Sequence, residues 1–171
     1  MEFILILLGV VLRFLPHPAN FAPIAAIGLF SGCYLMKRYA FVLPLTAMLI
    51  SDIFIGFYSW KIMLSVYLSF ALVGLIGVWL KNHKSVYTIA GGTLLGSVTF
   101  FVITNLAVWA FGMLYPHSWD GLIACYTAAI PFFKNTVMGD MFYVGALFGS
   151  YEVVRFWVGK RAKQSALAVS S

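Results

Sequence analysis

Long apolar blocks separated by brief polar stretches dominate the chain. A membrane-crossing helix needs about 20 apolar residues, within a range of roughly 17 to 25. Measured that way, residues 2–15 and 22–36 form two short blocks, and 39–58 forms a full-length one. Residues 62–80 are clean, 86–114 are long, 121–133 are too short to cross, and 136–158 are again full length. The pattern predicts helices throughout. Polar interruptions fall inside three of the longer blocks, at Asp52, Asn105 and Asp140.

The breaks between blocks agree with that reading. The segment PHPANFAP at 16–23 holds three prolines and an asparagine, and proline cannot continue a helix interior. YSWK at 58–61 and KNHK at 81–84 read as tight turns, and YPHSWDG at 115–121 as a polar loop. Residues 1–159 form one helical domain, and 160–171 a polar, basic tail.

Composition fixes the class. The chain is 63% hydrophobic and 9% charged, where a soluble domain carries about 25% charged residues. Its mean hydropathy is +0.98. This is the composition of a polytopic membrane protein, with the lipid bilayer as its solvent. The net charge of +6 is not a nucleic-acid signal, because the basic residues cluster at the ends of apolar blocks. The opening MEFILILLGVVLRF lacks a basic leader and ends at Arg13, so it reads as a retained helix rather than a cleaved signal. Cys33 and Cys125 fall toward opposite faces, which argues against a disulfide, and no Cys/His spacing suits a metal.

The basic residues also orient the bundle, since cytoplasmic loops carry an excess of Lys and Arg. Lys37, Arg38, Lys81, Lys84, Arg155, Lys160, Arg161 and Lys163 share one side when the blocks alternate, and only Arg13, Lys61 and Lys134 share the other. Six crossings with both termini in the cytoplasm satisfy this. The 121–133 block then lies outside as a short interfacial or re-entrant helix. The first two blocks are short for a span, which leaves little tilt, a thinned bilayer or a partial hairpin open; a five-span version also keeps Arg13 outside.

Asp52 lies roughly 9 Å below the outer end of its helix at about 1.5 Å per residue, with Asn105 at similar depth and Asp140 slightly shallower. A charge near the centre of a membrane helix costs roughly 2.5–3.5 kcal/mol, so these groups are expected to face one another, Arg13, Lys134 or water. Thr136, Asp140 and Tyr143 share a helix face, as do Phe101, Asn105 and Trp109. The expected result is a polar cavity toward the exterior, lined by Arg13, Asn20, Asp52, Asn105, Trp109, Lys134, Asn135 and Asp140. Arg13 and Lys134 would hold an anionic group, the aspartates would balance them or accept hydrogen bonds, and the asparagines would donate and accept. Trp109 would pack on a planar part of the ligand. The competing reading is an ion-pair network that only locks the bundle. Trp60, Trp109, Tyr115 and Trp119 fit an interfacial belt, and Glu152 can pair with Arg155 one turn on.

GLFSG at 28–32, GTLLG at 92–96 and GALFG at 145–149 each place glycines at i and i+4, which lets helix backbones approach closely. No Walker A, HExxH or GxSxG pattern occurs, so nothing argues for an enzyme or a cofactor.

RFLPHPANFAPIAAIGLFSG, PLTAMLISDIFIG, GSVTFFVITNLAVW and GLIACYTAAIPFFKNTVMGDMFYVGALFG together resemble a family of small bacterial membrane proteins without a characterised function. More distantly, the layout is similar to the substrate-binding S components of energy-coupling factor transporters. That resemblance implies an all-α bundle of about six transmembrane helices that captures a vitamin-like micronutrient near the outer face. It also implies docking onto a transmembrane coupling subunit driven by ATPases, here through Ala22, Ala26, Gly28 and Gly32. Two hypotheses follow: a small-molecule transport component with an outward-facing site, or a structural or assembly protein whose polar cluster only stabilises the bundle.

Overall fold

The computed structural model describes residues 2–169, all but three terminal positions. Among the described residues there are six α-helices and no strand: α1 Glu2–Phe14, α2 Ile24–Tyr34, α3 Tyr39–Ile55, α4 Trp60–Leu80, α5 Val86–Phe111 and α6 Trp119–Val169. Two of them, α4 and α5, are long and apolar enough to cross a membrane.

The bundle is built around α2. This helix has 11 residues, and ten of them, Ile24 through Cys33, are buried. It packs against α3, α4, α5 and α6, while α1 leans mainly on α3. An 11-residue helix rises only about 16 Å, and with ten of its residues buried α2 is an interior post. Its neighbours carry the exposed apolar surface, with Phe54, Trp60, Val86 and Phe142 all open.

Close approach to α2 depends on small residues. A Cβ placed on Gly32 would fall 2.6 Å from the Val78 backbone nitrogen, and one on Gly77 would fall 2.6 Å from the Leu29 carbonyl oxygen. A Cβ on Gly74 would meet the Ala40 carbonyl oxygen at 2.3 Å. That carbonyl is available because Pro44, one turn on, has no N–H to donate to it. Proline in α3 and glycine in α4 thus make one backbone-to-backbone joint. The small-residue run proposed as a docking face for a coupling subunit is therefore occupied from within. Gly28, Gly32 and Ala26 are buried and Ala22 is half-buried, against neighbours of the same chain.

Gly92 and Gly96 similarly accept Leu80, Ile76 and Val73 between α4 and α5, whereas Gly145 and Gly149 have no neighbour within 4 Å of an added Cβ. Of the three glycine pairs, two are internal joints and one is open.

The segment 121–133 is not a separate interfacial helix. It is the first part of α6, which runs without a break through Pro131. The physical reason lies in its packing along α5. Tyr126 donates to the Val102 carbonyl at 2.7 Å, and the Phe133 ring lies 4.7 Å from Phe101. A proline forfeits one helical hydrogen bond, and these contacts hold the helix on course across it. The polar tail expected from residue 160 continues α6 to Val169; residues 170–171 lie outside the described residues. Cys33 and Cys125 are both free and buried.

A candidate ligand cavity beneath the α1–α2 loop

The α1–α2, α3–α4 and α5–α6 loops mark one end of the bundle, called here the Arg13 end. The opposite end carries Tyr34, Lys84 and Glu152. Tyr34 donates to Glu152 at 2.5 Å, Lys84 lies 3.7 Å from the same carboxylate, and Arg155 lies 3.9 Å away. The expected Glu152–Arg155 pair is present, joined by two partners from other elements.

At the Arg13 end, Arg13 sits at the last turn of α1 and reaches across to α3. Its Nη1 lies 2.8 Å from Asp52 Oδ1, and Asp52 is only 1% exposed. The same nitrogen meets the Ser51 hydroxyl and approaches the Met48 carbonyl at 3.4 Å. The other oxygen of Asp52 accepts from the Tyr67 hydroxyl of α4 at 2.9 Å. Arg13 and Asp52 therefore neutralise each other, and Tyr67 closes the network. Three helices are stapled at one point.

Beside this staple lies a cavity of about 220 Å³ to which all six helices contribute. Its wall includes Arg13 of α1, Ala25 of α2, Met48 of α3, Phe70 of α4, Phe100 of α5, and Thr136 and Asp140 of α6. His17 and Asn20 of the α1–α2 loop and Tyr58 of the α3–α4 loop reach it from above, and all three are exposed. A second cavity of about 360 Å³ shares Asn20, Tyr58, Val66, Phe100 and Thr136 with the first, and adds Thr104 and Asn105. Asn20 touches both. Its φ of 64° is the only positive value among the described non-glycine residues. Asparagine tolerates this left-handed conformation better than most residues, and such backbone tends to occur at functional or tightly constrained positions.

Asp140 is the distinctive group. It is 3% exposed and accepts from the Ser97 hydroxyl at 2.6 Å. That is its single hydrogen-bond partner among the described residues, and no cation lies within ion-pair range of it there. Ser97 shares a face of α5 with Thr104, two turns on, and both are buried.

The structure thus brings Arg13, Asn20 and Asp140 to one cavity and Asn105 to the adjoining one. Asp52 lies behind Arg13 as its counter-ion. Lys134, Asn135 and Trp109 line neither cavity. Helix geometry explains the first two. Successive residues rotate by about 100°, so Thr136 and Asp140 point together while Lys134 and Asn135 diverge from them. Lys134 is exposed and forms no ion pair among the described residues. Trp109 instead donates its indole N–H to the Pro116 carbonyl at 3.0 Å and packs edge-on against His117, anchoring the α5–α6 loop. The anion site expected at Arg13 and Lys134 is therefore not assembled: one cation is already balanced and the other is elsewhere.

Ser97, Tyr67, Tyr58 and the Phe70–Phe100 pair were not singled out from the sequence. Thr93, Ser97 and Thr104 are a readable signal, because their spacing sets hydroxyls on one helix face. Tyr67 and the phenylalanines carry no such mark within their apolar blocks. No group of three or more His, Cys, Asp or Glu residues suited to a metal occurs among the described residues.

Neither a curated protein nor a solved structure matches the chain significantly. One family model matches residues 1–164. With its interior α2 post and its cavity at the Arg13 end, this chain belongs to DUF6580, a family of unknown function.

Proposed function

We propose that this chain is an integral membrane protein that binds a small molecule in the cavity at the Arg13 end, as a substrate-capturing component of a transport system. The observation carrying this reading is the cavity itself. Six helices converge on a space with an apolar wall, a few polar groups and one uncompensated buried carboxylate. Ligand sites are typically concave, largely apolar and fitted with a few convergent polar groups. A bundle needing only stability would gain more by filling that space.

In this reading the six helices lie in the membrane with the Glu152 end in the cytoplasm, where most lysines and arginines gather. The Arg13 end then faces outward. The chain carries no nucleotide-binding motif, so ATP-driven uptake would require an energised partner. The layout suits a coupling subunit of the energy-coupling factor type, engaged through a surface other than the buried face of α2. Orientation is testable with membrane-impermeant maleimide on intact cells, since both native cysteines are buried. Ser118→Cys is expected to label from outside and Asn82→Cys only after permeabilisation. The reverse pattern would invert the topology.

The binding reading is tested by thermal unfolding of the purified full chain against vitamins and metabolites of every charge type. A true ligand at about 100 times its Kd stabilises by about 2.7 kcal/mol, corresponding to a Tm rise of roughly 5–10 °C for a chain of this size. Ala25→Leu, which fills the cavity from α2, is expected to weaken that response at least tenfold. A panel without a single concentration-dependent shift would refute the reading.

The alternative, a purely structural polar cluster, has a specific observation in its favour. The Arg13–Asp52–Tyr67 network satisfies itself and needs no guest. It does not account for Asp140, which is separate from that network.

A further inference from the structure

We infer that the guest in this cavity carries a cationic ammonium group that pairs with Asp140, on a compact apolar or aromatic body; the inference rests on the binding reading above. Charge decides the sign. Arg13 is compensated by Asp52 at 2.8 Å, so that pair contributes no net charge to the cavity. Asp140 is almost wholly buried and receives one hydroxyl hydrogen bond, from Ser97. A carboxylate accepts several hydrogen bonds and, within a membrane bundle, normally faces a partner, a cation or water. An anionic guest would meet the ionised carboxylate with like charge, and a neutral guest would favour its neutral, protonated form. An ammonium group supplies both the missing charge and the missing donors.

The wall describes the rest of the guest. Phe70 and Phe100 face the cavity with ring centroids 5.1 Å apart and planes inclined by 35°. Tyr58 adds a third ring from above. Aromatic faces attract cations and pack flat apolar bodies. A cavity of about 150 Å³ accommodates benzene, so a space of about 220 Å³ accepts a single ring with a short amine-bearing arm. The adjoining cavity, bordered by Asn105 and Thr104, gives room for a polar substituent at the far end.

Three single-ring probes of matched shape separate the possibilities: 2-phenylethylamine, 2-phenylethanol and 3-phenylpropionate, titrated near pH 7 against the purified full chain with thermal unfolding and calorimetry as readouts. The amine is expected to raise the Tm in a concentration-dependent way and to bind at least tenfold more tightly than the other two. Asp140→Asn should remove that preference at least tenfold, Ser97→Ala should reduce it, and Lys134→Gln, outside the cavity, should leave it intact. If Asp140→Asn does not fold, Ser97→Ala carries the comparison. Tighter binding of the alcohol or the propionate would overturn the ammonium assignment and leave the pocket reading standing. Equal amine binding by the wild type and Asp140→Asn would overturn it too. Silence from all three probes would also overturn it, and a positive result in the broader metabolite panel would then show that the cavity takes a different class of guest.

Discussion

Removing one member of the Arg13–Asp52 pair is expected to destabilise the protein by about 3–5 kcal/mol, the usual cost of leaving a buried charge without its partner. Both Arg13→Met and Asp52→Leu should show it as a large fall in unfolding midpoint in detergent. Asp52→Leu also strands the Tyr67 hydroxyl, which donates to Asp52 at 2.9 Å. The double variant is expected to recover most of the loss, because a well-packed apolar pair often replaces a buried ion pair at little cost. Adding Tyr67→Phe should recover the remainder by removing the orphaned donor. Single variants that cost under about 1 kcal/mol would mean that the pair behaves like a solvated surface bridge, contrary to its burial.

The second large effect concerns the joint between α3 and α4. Gly74→Ala places a methyl group 2.3 Å from the Ala40 carbonyl oxygen. The clash is with backbone, so relief requires two helices to part. Overpacking of this kind costs about 1–3 kcal/mol and sometimes more, and loss of folded protein on expression is the expected outcome. Gly28→Ala is the control. Its added Cβ would lie 3.6 Å from Pro44 and 3.7 Å from Gly74, ordinary contact distances. There alanine's helix preference, about 0.5–1 kcal/mol over glycine, should show as a small gain. Equal tolerance at both positions would refute the close approach of α3 and α4.

These two cases show what could be read in advance. The polarity of Asp52 and Asp140 within apolar blocks required company inside the bundle, and both are buried there, with Asn105 half-buried. Which cation would answer which carboxylate did not follow, because pairing depends on how α1 leans on α3. Two of the three glycine spacings mark close contacts, without naming the helix on the other side. At 28–32 that helix is α4 of the same chain. The continuity of α6 was hidden by Pro131, Lys134 and Asn135, which read locally as a break. Packing on α5, through Tyr126 and Phe133, outweighs that local signal. Ser97 is not legible in the sequence because a hydroxyl among small residues reads as filler until a carboxylate stands opposite it.

The interior post has one more consequence. Beneath the cavity floor, α2 is clasped to α4 at Gly32 and Gly77 with no thickness of side chain between them. On the proposed binding reading, a solute that slips past His17 and Asn20 would meet joined backbones between these two helices, and leaving by that route would demand that the clasp come undone.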